Sequence, residues 1–240
     1  MPFPLFDRSR ITFQPLSRRK NRADIQAILQ EKAPAAGPEL QGKVERIAGE
    51  IRTARDRGSQ VILAFGAHTV KNGLGGVIID LLSEGWVTHL ATNGAGIIHD
   101  WEIAYQGMTS EDVRENIKKG EFGTWEETGM FLNCALAVGA YEGLGYGESI
   151  GKMTEEDGFT IPSIDELLEA AQRGTAEING PEVERAAAAL DLIGLVQRCG
   201  LKPGFTGIRH RFREYGIQAA AFRTGVPFTG HPMFGCDIIY

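Results

Sequence analysis

The sequence predicts an α/β fold: a parallel sheet flanked by helices. Three observations carry that expectation. Gln60–Phe65 is a short apolar run with β-branched residues, suited to a strand buried on both faces. A helix follows, with Leu74, Val77, Ile78, Leu81 and Leu82 at helical spacing and Gly85 as its C-cap. Trp86–Thr92 is a second strand, and two strands separated by one helix imply a right-handed parallel crossover. Val226–Thr229 reads as a third strand.

The other elements follow in order. Met1–Arg22 mixes Pro2, Pro4 and Pro15 with Arg18, Arg19, Lys20 and Arg22 and reads as an extended arm. Ala23–Glu31 reads as a short helix. Glu39–Arg57 is a longer one, with Leu40, Val44, Ile47 and Ile51 on one face and Gly58 ending it. Thr109–Asp112 resembles a cap opening a helix to Gly120. Thr124–Glu142 is apolar nearly all round in its middle, which predicts burial, between subunits or within one. Residues 143–153, GLGYGESIGKM, follow a helix rather than a strand, and Met153 stands where a phosphate loop needs a hydroxyl. They read as a flexible connector or lid. Ser163 and Glu166 form a capping box, and Pro181 opens a helix that runs to Gly200. Residues 23–240 are expected to form one domain, with residues 143–162 as its soft boundary. The apolar end Asp237–Tyr240 suggests truncation relative to a longer chain, or pairing with another subunit.

Composition narrows the function classes. Hydrophobic content of 42% and charged content of 23% are ordinary for a globular protein. A net charge of −6 argues against general nucleic-acid binding and suits a small cationic substrate. No apolar run approaches a membrane span or a signal peptide, which leads to a cytoplasmic expectation. Cys134, Cys199 and Cys236 lack metal spacing and read as buried free thiols.

Chemistry is expected at the glycine loops. Gly66–Ala67–His68 and Asn93–Gly94–Ala95–Gly96 both leave the carboxyl ends of strands, the rim where open α/β sheets bind ligands. Small residues and the following helix ends suit an anion such as a dinucleotide pyrophosphate, although tight turns alone use the same glycines. His68, His99 and His231 each follow a strand and a small-residue turn. A neutral imidazole there can take a proton from an amine or hydroxyl. Asp100 and Glu102 do not share a helix face; Asp100 is assigned to a cationic ligand and Glu102 to solvent or a partner helix. Lys71 is open to phosphate, ribose or solvent. A second reading is a metal site from His68, His99, Asp100 and His231, which no ligand spacing supports.

The stretches AFGAHTVKNGL and HLATNGAGIIHDWE, with VPFTGHPMFGCDII near the end, resemble the deoxyhypusine synthase family. The likeness covers roughly residues 60–105 and 217–240. It implies a Rossmann-like fold and NAD held by Gly66, Ala67, His68, Asn72, Gly73, Thr92, Asn93, Gly94 and Ala95. It further implies a homo-oligomer of tetrameric type, an arm covering a neighbour's site, and cleavage of spermidine with butylamine transfer to a protein lysine. The likeness puts Asp237 on the aspartate that holds a polyamine amine; His99 and Asp100 are assigned as catalytic, and His231, from its place after a strand, as substrate-binding. His99 stands where the family carries a glutamate, and the sequence has no counterpart to its imine-forming lysine. The reading from another class is a non-catalytic nucleotide-binding or oligomerisation protein.

Overall fold

The computed structural model describes residues 4, 7–30, 37–176 and 180–233, so Cys236 and Asp237 lie outside the described residues. It is an α/β structure centred on a three-stranded parallel sheet. Strand β1 (Asn21–Asp24) leads through the single turn α1 (Ile25–Ile28) to helix α2 (Pro38–Asp56). Then come β2 (Ile62–Phe65), α3 (Ala67–Lys71), α4 (Gly75–Ser83), β3 (His89–Asn93) and α5 (Gly94–Gln106). Strand β4 (Met108–Glu111) and α6 (Val113–Lys119) precede the buried pair α7 (Glu126–Glu142) and α8 (Tyr146–Glu155). The chain continues through β5 (Gly158–Ile161), α9 (Ile164–Ala176), α10 (Pro181–Cys199) and β6 (Gly204–Gly207). It closes with α11 (Ile217–Thr224) and β7 (Phe228–His231).

The sheet order is β2-β3-β7, parallel throughout. Phe65 pairs with Thr92, and Asn93 with His231. The two glycine loops therefore leave one rim side by side. The Thr92 hydroxyl ties them together by donating to the Phe65 carbonyl at 2.7 Å. Two antiparallel pairs, β1 with β4 and β5 with β6, flank the sheet.

Helix α5 joins two cores. Ile97 and Trp101 pack with Leu132, Ile150, Met153 and Leu192 on one side. Ile103 packs with Ile78, Leu90, Ile217 and Phe228 on the other. Trp101 is fully buried, stacks on Tyr105 at 5.0 Å, and donates from Nε1 to His210 Nε2 at 3.0 Å.

Several expectations are corrected. Ala23 and Asp24 are strand rather than helix, because they pair with Thr109 and Met108. Residues 108–111 are strand for the same reason, and the cap of α6 is Asp112, which accepts from Glu115 N. Residues 67–71 of the first loop are helical, and the next helix begins at Gly75 rather than Asn72–Gly73. Cys199 is exposed rather than buried. Residues 146–155 are a packed helix, not a lid: Ile150 and Met153 are fully buried. Its glycines serve close packing, since a Cβ on Gly151 would sit 2.6 Å from the Gln218 carbonyl oxygen. The Ser163–Glu166 capping box forms as expected. No helix among the described residues is long and apolar enough to cross a membrane.

Replacing Gly151 by Val should destabilise the chain by about 1–3 kcal/mol through overpacking of α8 against α11. Urea unfolding reads this, and an unchanged midpoint would contradict the packing described.

Candidate functional site

The arm, α5, β4 and the start of α7 enclose a cavity of about 200 Å³ next to the carboxyl rim. Its lining includes Arg19, Lys71, His99, Glu102, Ser110 and Trp125. Lys71 ends α3 and Ala95 opens α5, so the cavity adjoins both loops.

A buried ion pair forms its wall. Arg19 donates from Nη1 and Nη2 to the two Glu102 oxygens at 2.7 and 2.6 Å, with both side chains almost wholly buried. The guanidinium also lies 5.5 Å from the Trp125 ring centroid. This fork geometry compensates the cost of taking both charges out of water. Thr109 and Thr128 add hydroxyl donors to the same carboxylate at 2.5 and 3.3 Å. Glu102 thus faces helix α7 and the arm rather than solvent, and it shares a helix face with His99, three residues earlier.

This network sets the state of His99. The single hydrogen of the Thr109 hydroxyl goes to Glu102, so its oxygen accepts from His99 Nδ1–H at 2.6 Å. Nε2 is then the bare acceptor of the ring. Burial holds the imidazole down at about 4; Glu102 opposes this, while Lys71, Arg19 and His68 reinforce it. At neutral pH His99 is an uncharged base in a fixed tautomer.

Two buried polar atoms of the lining, Ser110 Oγ and Trp125 Nε1, have no hydrogen-bond partner among the described residues. Ser110 also takes φ 67°, a left-handed conformation that costs a non-glycine residue about 1–3 kcal/mol. Orphaned polar atoms beside a strained backbone are features of a ligand site. Glu111 is held by Asn116 Nδ2 at 2.6 Å and Gly123 N at 3.1 Å.

The sequence-predicted residues separate into three groups. Gly66, His68 and Asn93 are exposed on the rim, with Gly94 and Ala95 in the first turn of α5. Asn93 Oδ1 caps that turn by accepting from Gly96 N at 2.8 Å. His231 is exposed beside Asn93, its Nε2 2.9 Å from Thr229 Oγ1. A second group serves the protein's own packing. Ala67, Thr92 and Gly94 are buried, whereas Asn72, which ends α3 through its backbone N–H, keeps its side chain exposed. Gly73 adopts φ 77° so that the Ile28 carbonyl can approach where a side chain would stand. Asp100 stands apart: the residue is 2% exposed, and its carboxylate accepts from Ile217 N, Gln218 N and Gln218 Nε2 at 2.8–3.0 Å. It anchors the start of α11, which occupies the oxygens a cationic ligand would need. Burial raises it to about 6, against those three donors. Among the described residues no three His, Cys, Asp or Glu side chains gather as a metal site would need, so His68, His99, Asp100 and His231 do not form one cluster.

Arg19, Ser110, Thr109, Thr128 and Trp125 escaped sequence reasoning. Only the spacing of His99 and Glu102 on one helix face could have pointed toward them.

No family model matches this chain, and no curated protein matches it. Among solved structures, apo ArgZ, an arginine dihydrolase from the ornithine-ammonia cycle in cyanobacteria, is similar over 86% of this chain at 15% identity, with a TM-score of 0.37. This chain spans only 20% of that one, and a similarity of this size assigns neither fold nor activity.

Two predictions follow from the buried groups. Asp100→Ala should cost about 3–5 kcal/mol by leaving the α11 donors unpaired in the core, read by chemical unfolding. Acid should also weaken the fold. His99 and His210 are both depressed from 6.5 to about 4 by burial, so their contribution is full above pH 6.5 and lost as pH falls toward 4. Asp100, raised from 3.8 to about 6, contributes fully below 3.8 and loses that as pH rises through 6. One carboxyl against two imidazoles leaves a net decline between pH 6.5 and 4. Tm should fall across that window, and fall less in His99→Gln.

Proposed function

We propose that the β2-β3-β7 unit is a Rossmann-like nucleotide-binding fold that holds NAD along its carboxyl rim. In this reading the adjoining cavity takes a small substrate whose amine or hydroxyl gives its proton to His99. The observation that carries the proposal is the His99 ring, held at Nδ1 by Thr109 and lining a cavity that adjoins both glycine loops.

The rim residues fit the cofactor in part. At Gly66 no atom lies within 4 Å of where a Cβ would stand, which leaves room for close backbone approach. Helix α5 offers the positive end of its dipole at Gly94 and Ala95, with His68, Asn93 and His231 around it. Gly73, Ala67 and Thr92 are buried and support the loops rather than touch a ligand. NAD, when bound, supplies a hydride acceptor.

The chain's own residues handle the proton. His99 Nε2 receives it from the substrate N–H or O–H. The charge that develops on the ring lies 3.9 Å from the Glu102 carboxylate, which stabilises it through Thr109. Arg19 holds both Glu102 oxygens in place. Trp125 Nε1–H and Lys71 are donors, so they favour a substrate that also carries an acceptor oxygen, as a 2-amino or 2-hydroxy acid does. A polyamine, the class implied by the sequence resemblance, offers His99 its amine but gives these donors nothing.

NADH fluorescence and nicotinamide absorbance test this. The cofactor should bind, and Gly66→Val should weaken it roughly tenfold by filling the rim. His99→Gln should leave cofactor binding intact and lower substrate-dependent reduction about 100-fold or more. Spermidine and small amino or hydroxy acids are compared as substrates. Binding without turnover on either class supports the non-catalytic reading, and no binding at about 1 mM cofactor sinks the proposal.

A further inference from the structure

Helix α2 has no buried residue along its 19 positions. Leu40, Val44 and Ile47 are 56%, 53% and 47% exposed, and Ile51 is half-buried. A helix of this length with so little tertiary packing is marginal in water, so the exposed part of its apolar seam asks for a covering surface. Its residues are spaced four, three and four apart, which is the spacing of a coiled-coil seam rather than of the broader stripe that a globular core takes.

We propose that this seam packs antiparallel against the same seam of a second copy of the chain. Charge complementarity selects that occupant and that direction. In an antiparallel pair centred between Glu45 and Arg46, Val44 of each copy meets Ile47 of the other, and Leu40 meets Ile51. The positions that flank these layers on one side are Lys43 and Glu50, and the twofold axis sets each Lys43 opposite the other copy's Glu50. The opposite flank carries Gln41 and Ala48, which are uncharged. Lys43 and Glu50 now make only solvent-exposed pairs within the helix, with Glu39 and Arg46 at 2.7 Å, and such pairs are readily exchanged. A parallel pair lacks this match, since it would set Lys43 beside the uncharged Ala48.

Sedimentation equilibrium on the full chain tests the proposal. Wild type should reach twice its 26.1 kDa mass in a concentration-dependent manner. Ile47→Asp, at an exposed position, should stay at the single-chain mass with an unchanged circular dichroism spectrum outside the α2 contribution. Lys43→Glu sets like charges together twice and should weaken association roughly tenfold. Lys43→Glu with Glu50→Lys should restore it, which a merely structural role for either residue would not do. Wild type that stays monomeric at about 100 μM, a dimer that survives Ile47→Asp, or a double variant no tighter than the single one would overturn it. Hydrogen-exchange protection of α2 in the monomer would also overturn it, by showing that the chain covers its own seam.

Discussion

Two buried carboxylates on one helix hold this structure together. Asp100 and Glu102 sit on α5, each almost wholly out of water, and they point to opposite sides. A buried charge is tolerated only when it is fully hydrogen-bonded or paired, so each dictates what must be packed against it. Asp100 demands the backbone N–H groups at the start of α11, and Glu102 demands the guanidinium of the arm. Segments distant in the sequence are thereby fixed to the helix that leaves the central strand.

The same constraint shapes the cavity. Because Glu102 is held by Arg19, it is a fixed negative charge rather than a free ligand for a cation. Its influence passes outward through Thr109 to the ring of His99, which is kept uncharged by its surroundings. The arm is therefore part of the site wall. Leu16, fully buried, and the Leu16 N–H, which donates to Glu127 at 2.6 Å, seat it there.

The parallel sheet was legible because its signal is local. The runs at 60–65, 86–92 and 226–229 overlap β2, β3 and β7, and the helices expected at 74–82 and 181–199 are α4 and α10, although Ile62 of β2 and Val183 and Leu190 of α10 are exposed rather than packed. What escaped depends on distant partners. Strands β1 and β4, and β5 and β6, are four residues long and gain their hydrogen bonds only from each other, so neither carries an alternating pattern long enough to read. Glycine misled in one place: Gly147 and Gly151 look like loop residues but are contact points between α8 and its neighbours. At the site, His99 was visible from its place after a glycine turn. The roles of Asp100 and Glu102 were exchanged, since the sequence shows that they diverge but not which side holds the cavity. Arg19 was invisible because nothing local ties an arm to a helix eighty residues away.

The position of β7 bears on how the chain assembles as it is made. Strand β3 meets β2 after a short crossover, yet its other edge stays open until residues 228–231 emerge. At ribosomal speeds of about 5–20 residues per second, that edge waits for several seconds or longer. During that interval the nascent polypeptide carries an unprotected template for intermolecular strand addition. A chain that stalls before β7 keeps this edge of β3 without its partner strand.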